Sequence, residues 1–215
     1  GGHNAESHNH NDVGNFIVSI DGKPVIIDIG VETYSRKTFS VQRYEIWTMQ
    51  SAYHSLPTID GVMQSPGRQF AARNVRYRAD DTMAQLALDI AGAYPEQSHL
   101  KSWVRTITLN RGRDVTVTED YTLTEPVGQI TLSLMTPCRA EARRPGQIVL
   151  ATSDEDESAQ VLYDPTQLAA TIEVIDVEDG RLRAVWPEKI ARILLKADKP
   201  PRKDTWTLRI EPAKP

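Results

Sequence analysis

The strongest constraint on the fold is a repeated pattern of short β-branched stretches separated by turn signals, which begins at Phe16. This pattern is typical of strands in antiparallel sheets. The first two stretches, Asn15–Ile20 and Pro24–Ile29, flank Asp21-Gly22, a dipeptide that favours a tight hairpin. The later predicted strands are Arg68–Ala79, Trp103–Asn110, Val115–Thr124, Gln129–Met135, Gln147–Ala151, Thr171–Val177, Ala191–Leu195 and Thr205–Ile210.

Two segments are harder to assign. Met83–Ala93 is rich in Ala and Leu, which favours a helix, but its apolar residues alternate, and we predict a strand. Ser40–Gln50 has apolar residues at helical spacing, and we expect a short helix or an irregular loop there. Asp179-Gly180 is predicted to form a turn. The expected fold is all-β, a large antiparallel β-sandwich with few or no helices, and residues 1–215 are expected to form one domain.

The composition excludes several classes of protein. Hydrophobic residues make up 40% of the 215 residues and charged residues 25%, as in a globular protein. The net charge of -4 argues against nucleic acid as a partner. No run approaches the roughly 20 apolar residues of a membrane span. The single cysteine, Cys138, excludes an internal disulfide and a cysteine-based zinc site, so a metal would need His, Asp or Glu.

The histidines are concentrated near the start of the chain. His3, His8 and His10 lie within the first twelve residues, in GGHNAESHNHND. On an extended backbone, His8 and His10 would point to the same side and could face one pocket. This segment is therefore predicted to form part of a metal-binding and substrate-facing site.

Asp28 and His54 are further candidates for this site. Asp28 follows the apolar run Val25-Ile26-Ile27, where a carboxylate is costly unless it is paired, hydrogen-bonded or metal-bound. The first hairpin could place it beside His8 or His10. His54 alone is more often a semi-buried structural side chain than a ligand. Two imidazoles and a carboxylate suit zinc, and also iron or manganese.

These residues carry a family resemblance. The stretch GGHNAESHNHNDVGNFIVSIDGKPVIIDIG, followed by YEIWTMQSAYHSLPTIDG, resembles the C-terminal domain of heparinase II/III-type polysaccharide lyases. The resemblance is close as far as Gly67, and beyond it only the rhythm of strands and turns agrees. It implies a β-sandwich that follows an N-terminal α/α toroid, a domain this chain lacks, so the chain is expected to be a fragment of a longer protein.

The resemblance also implies a reaction and roles for particular residues. Such enzymes cleave uronic-acid-containing polysaccharides, heparin- or heparan-like or alginate-like, by β-elimination. The family's zinc ligands match His10, Asp28 and His54, and the histidine matching His8 faces the cleft and is implicated in catalysis. The principal tyrosine and other catalytic residues of the family come from the toroid. The isolated chain is therefore expected to be inactive, and its partners are the toroid and an acidic polysaccharide.

Weaker candidates for substrate contact are Glu6, Asn9, Tyr34 and Gln50. Glu6 and Asn9 could instead fix the loop, and Tyr34 could pack on the rim of the sandwich. Arg43 could bind a sulfate or uronate group, or form an ordinary surface ion pair. A periplasmic or secreted location is expected, because large polysaccharides are usually cut outside the cytoplasm.

Two other functions fit the same residues. A cupin-like metal enzyme would normally use both histidines of the His8-Asn9-His10 segment as ligands, but the Glu expected shortly after them is absent. A non-catalytic carbohydrate-binding module with a structural metal is the other alternative. Activity distinguishes this module from the lyase.

Overall fold

The computed structural model describes residues 2–5, 8–152 and 157–213. Its strands in this part of the chain are β1 (His3–Asn4), β2 (Val18–Ile20), β3 (Lys23–Ile26), β4 (Pro57–Ile59), β5 (Gly67–Ala71), β6 (Arg73–Ala79), β7 (Met83–Asp89), β8 (Leu100–Asn110), β9 (Asp114–Leu123), β10 (Gln129–Thr136), β11 (Arg139–Arg144), β12 (Gln147–Ala151), β13 (Glu157–Leu162), β14 (Ala169–Asp176), β15 (Lys189–Asp198) and β16 (Lys203–Pro212).

The strands form two main antiparallel sheets. The larger has the order β11-β12-β13-β16-β9-β8-β7-β6, and the smaller has the order β14-β15-β10-β4. Two further pairs, β1-β5 and β2-β3, lie beside them. The predicted all-β sandwich is confirmed, as are the hairpin at Asp21-Gly22 and the strand character of Met83–Asp89.

Helical structure is confined to short segments. The one α-helix of the described residues, α1, spans Gly180–Arg183, where only a turn was predicted. It forms because the Asp179 side chain accepts hydrogen bonds from the N–H groups of Arg181 and Leu182. Ser40–Gln50, expected to be a short helix or an irregular loop, contains two 3-10 segments joined by irregular residues. The 3-10 segments are Arg36–Phe39, Arg43–Glu45, Trp47–Met49, Ser51–Tyr53, Ala91–Ala93 and Glu96–Ser98.

Some strands escaped prediction. Arg139–Arg144 has four charged residues and no β-branched or aromatic residue, yet it pairs with β12 at the edge of the larger sheet, where most of its side chains are exposed. Pro57–Ile59 is very short and begins with a proline, and its position is determined by pairing with β10. Arg139–Arg144 alternates only charged residues with Ala, and Pro57–Ile59 is too short to show a pattern, so neither has the β-branched alternation of the other strands.

The core between the sheets contains an aromatic cluster. Trp103 stacks on Tyr121 with ring centroids 5.2 Å apart, and Trp206 packs against both rings. Beside it lies a completely buried ion pair, in which Arg105 Nη2 is 2.6 Å from Glu119 Oε1. These groups fix the inner face of β8, β9 and β16, on which the N-terminal segment rests.

Candidate metal centre

Three predicted residues from distant parts of the chain meet in one cluster. His10, Asp28 and His54 each offer one ligand atom, and these atoms all lie within 4.8 Å of one another. His10 comes from the N-terminal segment, which is attached by the hydrogen bond from Asn11 N to Met49 O, 3.0 Å long. Asp28 follows β3, and His54 follows the last of the 3-10 turns before β4.

Asp28 is held as a carboxylate by its neighbours. Oδ2 accepts a hydrogen bond from Asn15 Nδ2 at 2.9 Å, and Oδ1 accepts one from Gly30 N at 2.8 Å. Burial alone would raise the pKa of Asp28, but the adjacent His54, the Gly30 N–H and His10 outweigh burial and bring this pKa down to about 2. The carboxylate is therefore charged and oriented at neutral pH.

The hydrogen bonding of His54 leaves one of its ring nitrogens facing the carboxylate. Nε2 lies 3.1 Å from Thr48 O, which can only accept, so Nε2 carries the hydrogen. Nδ1 is buried and forms no hydrogen bond within the described structure, although Asp28 Oδ2 lies 3.4 Å away. His54 Nδ1 and Asp28 Oδ2 therefore need a positive charge between them, which either a proton on Nδ1 or a bound cation would supply.

This arrangement fits a metal ion. A cation between His54 Nδ1 and Asp28 Oδ2 would satisfy both atoms, and the His54 bond to a carbonyl is the usual outer contact of a metal-binding histidine. Two imidazoles and one carboxylate are a common zinc ligand set that leaves a fourth position open. The donor set alone does not select zinc over iron or manganese.

His10 is also suited to binding a cation. Its ring centroid is 5.3 Å from that of His54. Burial and the neighbouring His54 lower the pKa of His10 to about 4, with a smaller opposing effect of Asp28. The imidazole is therefore neutral near pH 7, which is the form that binds metals.

The buried Arg105 ties this cluster to the core. Its Nη1 donates to Gly14 O at 2.7 Å and to Ser55 O at 2.6 Å. Ser55 N in turn donates to Asn15 Oδ1 at 2.9 Å. One side chain thus holds the segments that follow His10 and His54, and Asn15 links them to Asp28.

His8 lies outside the three-residue cluster and has different contacts. It is exposed, and its Nδ1 is 3.4 Å from the Tyr34 hydroxyl. Its ring also packs edge-on against Phe39, with centroids 5.7 Å apart. His8 and His10 thus have different contacts, and the chain around them is not the extended strand from which a shared pocket was expected.

The other predicted substrate residues have varied positions. Asn9 Nδ2 donates to the His10 carbonyl, and Gln50 Nε2 donates to Tyr44 O at 2.9 Å, so both amides are used within the loops. Arg43 is buried rather than a surface residue, and its Nε donates to Asn9 O at 2.9 Å. Glu6 lies outside the described residues.

Sequence reasoning missed the groups that support the cluster. The sequence predicts Asn15 and Arg105 only as members of strands, and Thr48 only as part of a short helix or an irregular loop. Asn15 carries a weak signal, since it is a polar residue directly before an apolar strand. No local pattern marks Arg105, because its partners are remote in sequence.

A large cleft lies elsewhere. It has a volume of about 620 Å³ and apolar walls, and it includes Cys138, Ile172 and Trp186. None of the predicted site residues lines it. The candidate metal ligands and His8 therefore lie outside this cleft.

Comparison with known families decides the relationship of the chain. The family described as "Heparinase II/III-like, C-terminal" matches residues 1–205. The chain belongs to this family. The resemblance seen in its N-terminal residues is thereby confirmed, and the match extends well beyond the motif-bearing segment.

Solved structures agree with this fold. The heparan sulfate lyase HepC from Pedobacter heparinus matches with a TM-score of 0.73 at 14% identity, over 96% of this chain and 31% of that one. A structure described as Heparinase III matches with a TM-score of 0.68 at 13% identity, over 97% of this chain and 31% of that one. The chain thus spans about a third of the length of these relatives. No curated protein matches it.

Proposed function

We propose that this chain is the metal-binding β-sandwich portion of a polysaccharide lyase that cleaves uronic-acid-containing polysaccharide, heparan-like or alginate-like, by β-elimination. Membership of the heparinase II/III-like family supports the proposal. The observation that carries it is that His8 and His10 have different surroundings. His10 joins Asp28 and His54, while His8 remains exposed beside Tyr34.

The proposed reaction needs three groups around the uronate. A base removes the C5 proton, the bond from C4 to the glycosidic oxygen breaks, and the electrons of the C5–H bond form the C4=C5 double bond. The departing oxygen takes up a proton from an acid. The uronate carboxylate must be neutralised so that the C5 proton becomes acidic.

His8 is the residue of this chain best placed for proton transfer. An imidazole can accept and donate protons near neutral pH. The exposed ring of His8 can contact a polymer, and the Tyr34 hydroxyl at 3.4 Å orients it. We assign it as the acid/base group or as the partner of the uronate carboxylate.

His10, Asp28 and His54 would hold zinc or another divalent ion. When bound, the ion supplies a fixed positive charge that orders the floor of the cleft. The chain's own contribution is structural here: Asn15 and Gly30 orient Asp28, and Thr48 orients His54. Neither histidine is then available for proton transfer.

The remaining catalytic groups are assigned to a preceding α/α toroid domain. The solved relatives are about three times as long as this chain, which supports a further domain in the full-length protein. We propose that the isolated chain is inactive and that the whole enzyme acts in the periplasm or outside the cell. No helix of the described part is long and apolar enough to cross a membrane.

The lyase assignment is tested with the full-length protein that contains this chain. Ultraviolet absorbance would follow unsaturated uronate formed from heparan sulfate, alginate and related polymers. We expect product from at least one polymer, and a His8→Ala variant should lose at least a hundredfold in kcat. His99→Asn is the control, because His99 is exposed and adopts a left-handed backbone that Asn tolerates.

Two results would contradict this assignment. Absence of product from every uronate polymer would favour the carbohydrate-binding module, provided that the protein still binds the polymers. Full activity of the His8→Ala variant would remove the proposed role of His8. The cupin-like alternative requires His8 in the metal cluster, and the contacts of His8 with Tyr34 and Phe39 do not support it.

A further inference from the structure

An exposed aromatic surface surrounds His8. Tyr34 is 44% exposed and Phe39 is 61% exposed, although both are large and apolar. Their ring centroids are 5.2 Å apart, and the rings are steeply inclined at 72°. Exposed aromatic faces next to an exposed histidine indicate a binding surface rather than a core.

A positive charge from a remote part of the chain joins this surface. The Arg181 guanidinium carbon lies 4.9 Å from the centroid of the Tyr34 ring. Arg181 is exposed and forms no salt bridge within the described residues, whereas Arg183 on the same helix pairs with Glu188 at 2.9 Å. Arg181 therefore keeps a planar set of N–H donors for an anion.

The backbone holds these groups in place. Asp179 Oδ2 accepts from Thr33 N at 3.0 Å, and its Oδ1 accepts from Arg181 N at 2.9 Å. The Asp179 carboxylate thus connects Thr33, which precedes Tyr34, to Arg181, the second residue of α1. Ser35 caps the 3-10 turn that ends in Phe39, with Lys37 N donating to Ser35 Oγ. The surface is preorganised.

We propose that Tyr34, Phe39 and Arg181 form a subsite for an acidic sugar ring next to His8. The Phe39 ring packs against the C–H face of the sugar, and Arg181 binds its carboxylate or sulfate through charge-assisted hydrogen bonds. Tyr34 positions Arg181 on one side and His8 on the other. This inference rests on the proposed function, since it concerns the substrate class of the same cleft.

The exposed aromatic rings and Arg181 together favour an acidic carbohydrate over other partners. An aromatic face favours a ring with apolar C–H edges, and Arg181, which forms no salt bridge within the described residues, favours an anionic group on that ring. A nucleic acid would need a broad basic surface, which the net charge of -4 does not favour. A neutral sugar would use the aromatic rings but not Arg181.

The test measures binding by this chain. Isothermal titration calorimetry would use a heparan sulfate tetrasaccharide, with a neutral cello-tetraose as the comparison. We expect Arg181→Gln and Phe39→Ala each to weaken binding of the acidic tetrasaccharide about tenfold, and Arg181→Lys to restore part of the loss. Arg183→Gln is the matched control and should stay within twofold of the parent chain.

Several outcomes would overturn the subsite. These are an Arg181→Gln variant that binds like the parent chain, equal binding of the neutral tetraose, or no binding of the acidic tetrasaccharide by the parent chain. Equal thermal melts of the variants would show that each is folded, as expected for exposed residues.

A second measurement separates this inference from the lyase proposal. In the full-length protein, Arg181→Gln should raise KM about tenfold with kcat within a factor of two, while His8→Ala lowers kcat. Loss of binding by Arg181→Gln in a protein that forms no unsaturated product would support the subsite and contradict the lyase. Product formation with an unchanged KM for Arg181→Gln would support the lyase and contradict the subsite.

Discussion

Asn15 is the residue that connects the parts of the candidate metal centre. Its side-chain Nδ2 donates to Asp28 Oδ2, and its side-chain Oδ1 accepts from Ser55 N, both at 2.9 Å. Residues that orient a metal ligand without touching the metal commonly change affinity by about 10–100-fold when they are removed. Asn15 has this position relative to Asp28, one of the proposed ligands.

We therefore expect Asn15→Ala to weaken zinc binding by about tenfold or more without unfolding the chain. Competition with a chromophoric zinc chelator would measure the affinity. Asn110→Ala is the control, because Asn110 lies in a distant hairpin and bonds to Asp114. An Asn15→Ala variant with the affinity of the parent chain would show that Asp28 needs no such support.

At the scale of single residues, the sequence predicted the candidate metal ligands better than the residues that hold those ligands in place. His10, Asp28 and His54 were identified from the residues and from the family pattern, and the structure brings them together. Asn15, Thr48 and Arg105 were not, because a supporting hydrogen bond depends on where a remote backbone group happens to lie. The interaction of Arg181 with Tyr34 was inaccessible for the same reason.

At the scale of elements, the buried pair on β8 and β9 joins the large sheet to the site. Arg105 donates both to Glu119 and to two backbone carbonyls of the N-terminal segments. Trp103 Nε1 also donates to Glu119 Oε2, at 2.6 Å. Removing one charge of such a pair leaves the other buried without compensation.

Arg105→Met should therefore lower the free energy of unfolding by about 3–5 kcal/mol. The double variant Arg105→Met/Glu119→Leu should recover part of this loss, because it removes the isolated carboxylate. Urea unfolding followed by tryptophan fluorescence would compare the three proteins. A double variant no more stable than Arg105→Met alone would mean that the arginine stabilises mainly through its bonds to the backbone.

The helix α1 depends on its cap. Burial tends to raise the pKa of Asp179, but the N–H groups of Thr33, Leu182 and Arg181 outweigh it and lower this pKa. The contribution of Asp179 to stability is thus complete above the ordinary carboxyl pKa and is lost as pH falls through the folded value.

Asp179→Ala should cost about 1 kcal/mol at pH 7, and the difference from the parent chain should shrink in acid. Thermal melts between neutral and strongly acidic pH would show this trend. Asp179→Asn is the conservative control, because Asn also caps helices but does not titrate. A difference that grows as pH falls would contradict the assignment.

For the whole molecule, the fold was more predictable than the site. The alternating pattern and the turn dipeptides indicated most strands of both main sheets, and the two-sheet sandwich followed from them. Strands with little local signal, such as Arg139–Arg144 and Pro57–Ile59, are determined by their partners. Sheet order depends on contacts between remote segments, which no local pattern encodes.

Metal binding should also stabilise the whole molecule, because the three candidate ligands come from separate segments. Free zinc at about a hundred times its dissociation constant should add about 2.7 kcal/mol to the free energy of unfolding. Thermal melts with zinc and after chelation would measure the shift in Tm. His10→Ala should melt at the same temperature with and without zinc, and a zinc-dependent shift in that variant would place the ion elsewhere.

The most direct test of the account is the metal content of the purified chain and its histidine variants, measured by elemental analysis. We predict about one zinc ion per chain for the parent protein and for His8→Ala, and strongly reduced zinc for His10→Ala and His54→Ala. Equal loss of metal from His8→Ala and His10→Ala would contradict the division of roles, as would a parent chain that binds no divalent metal.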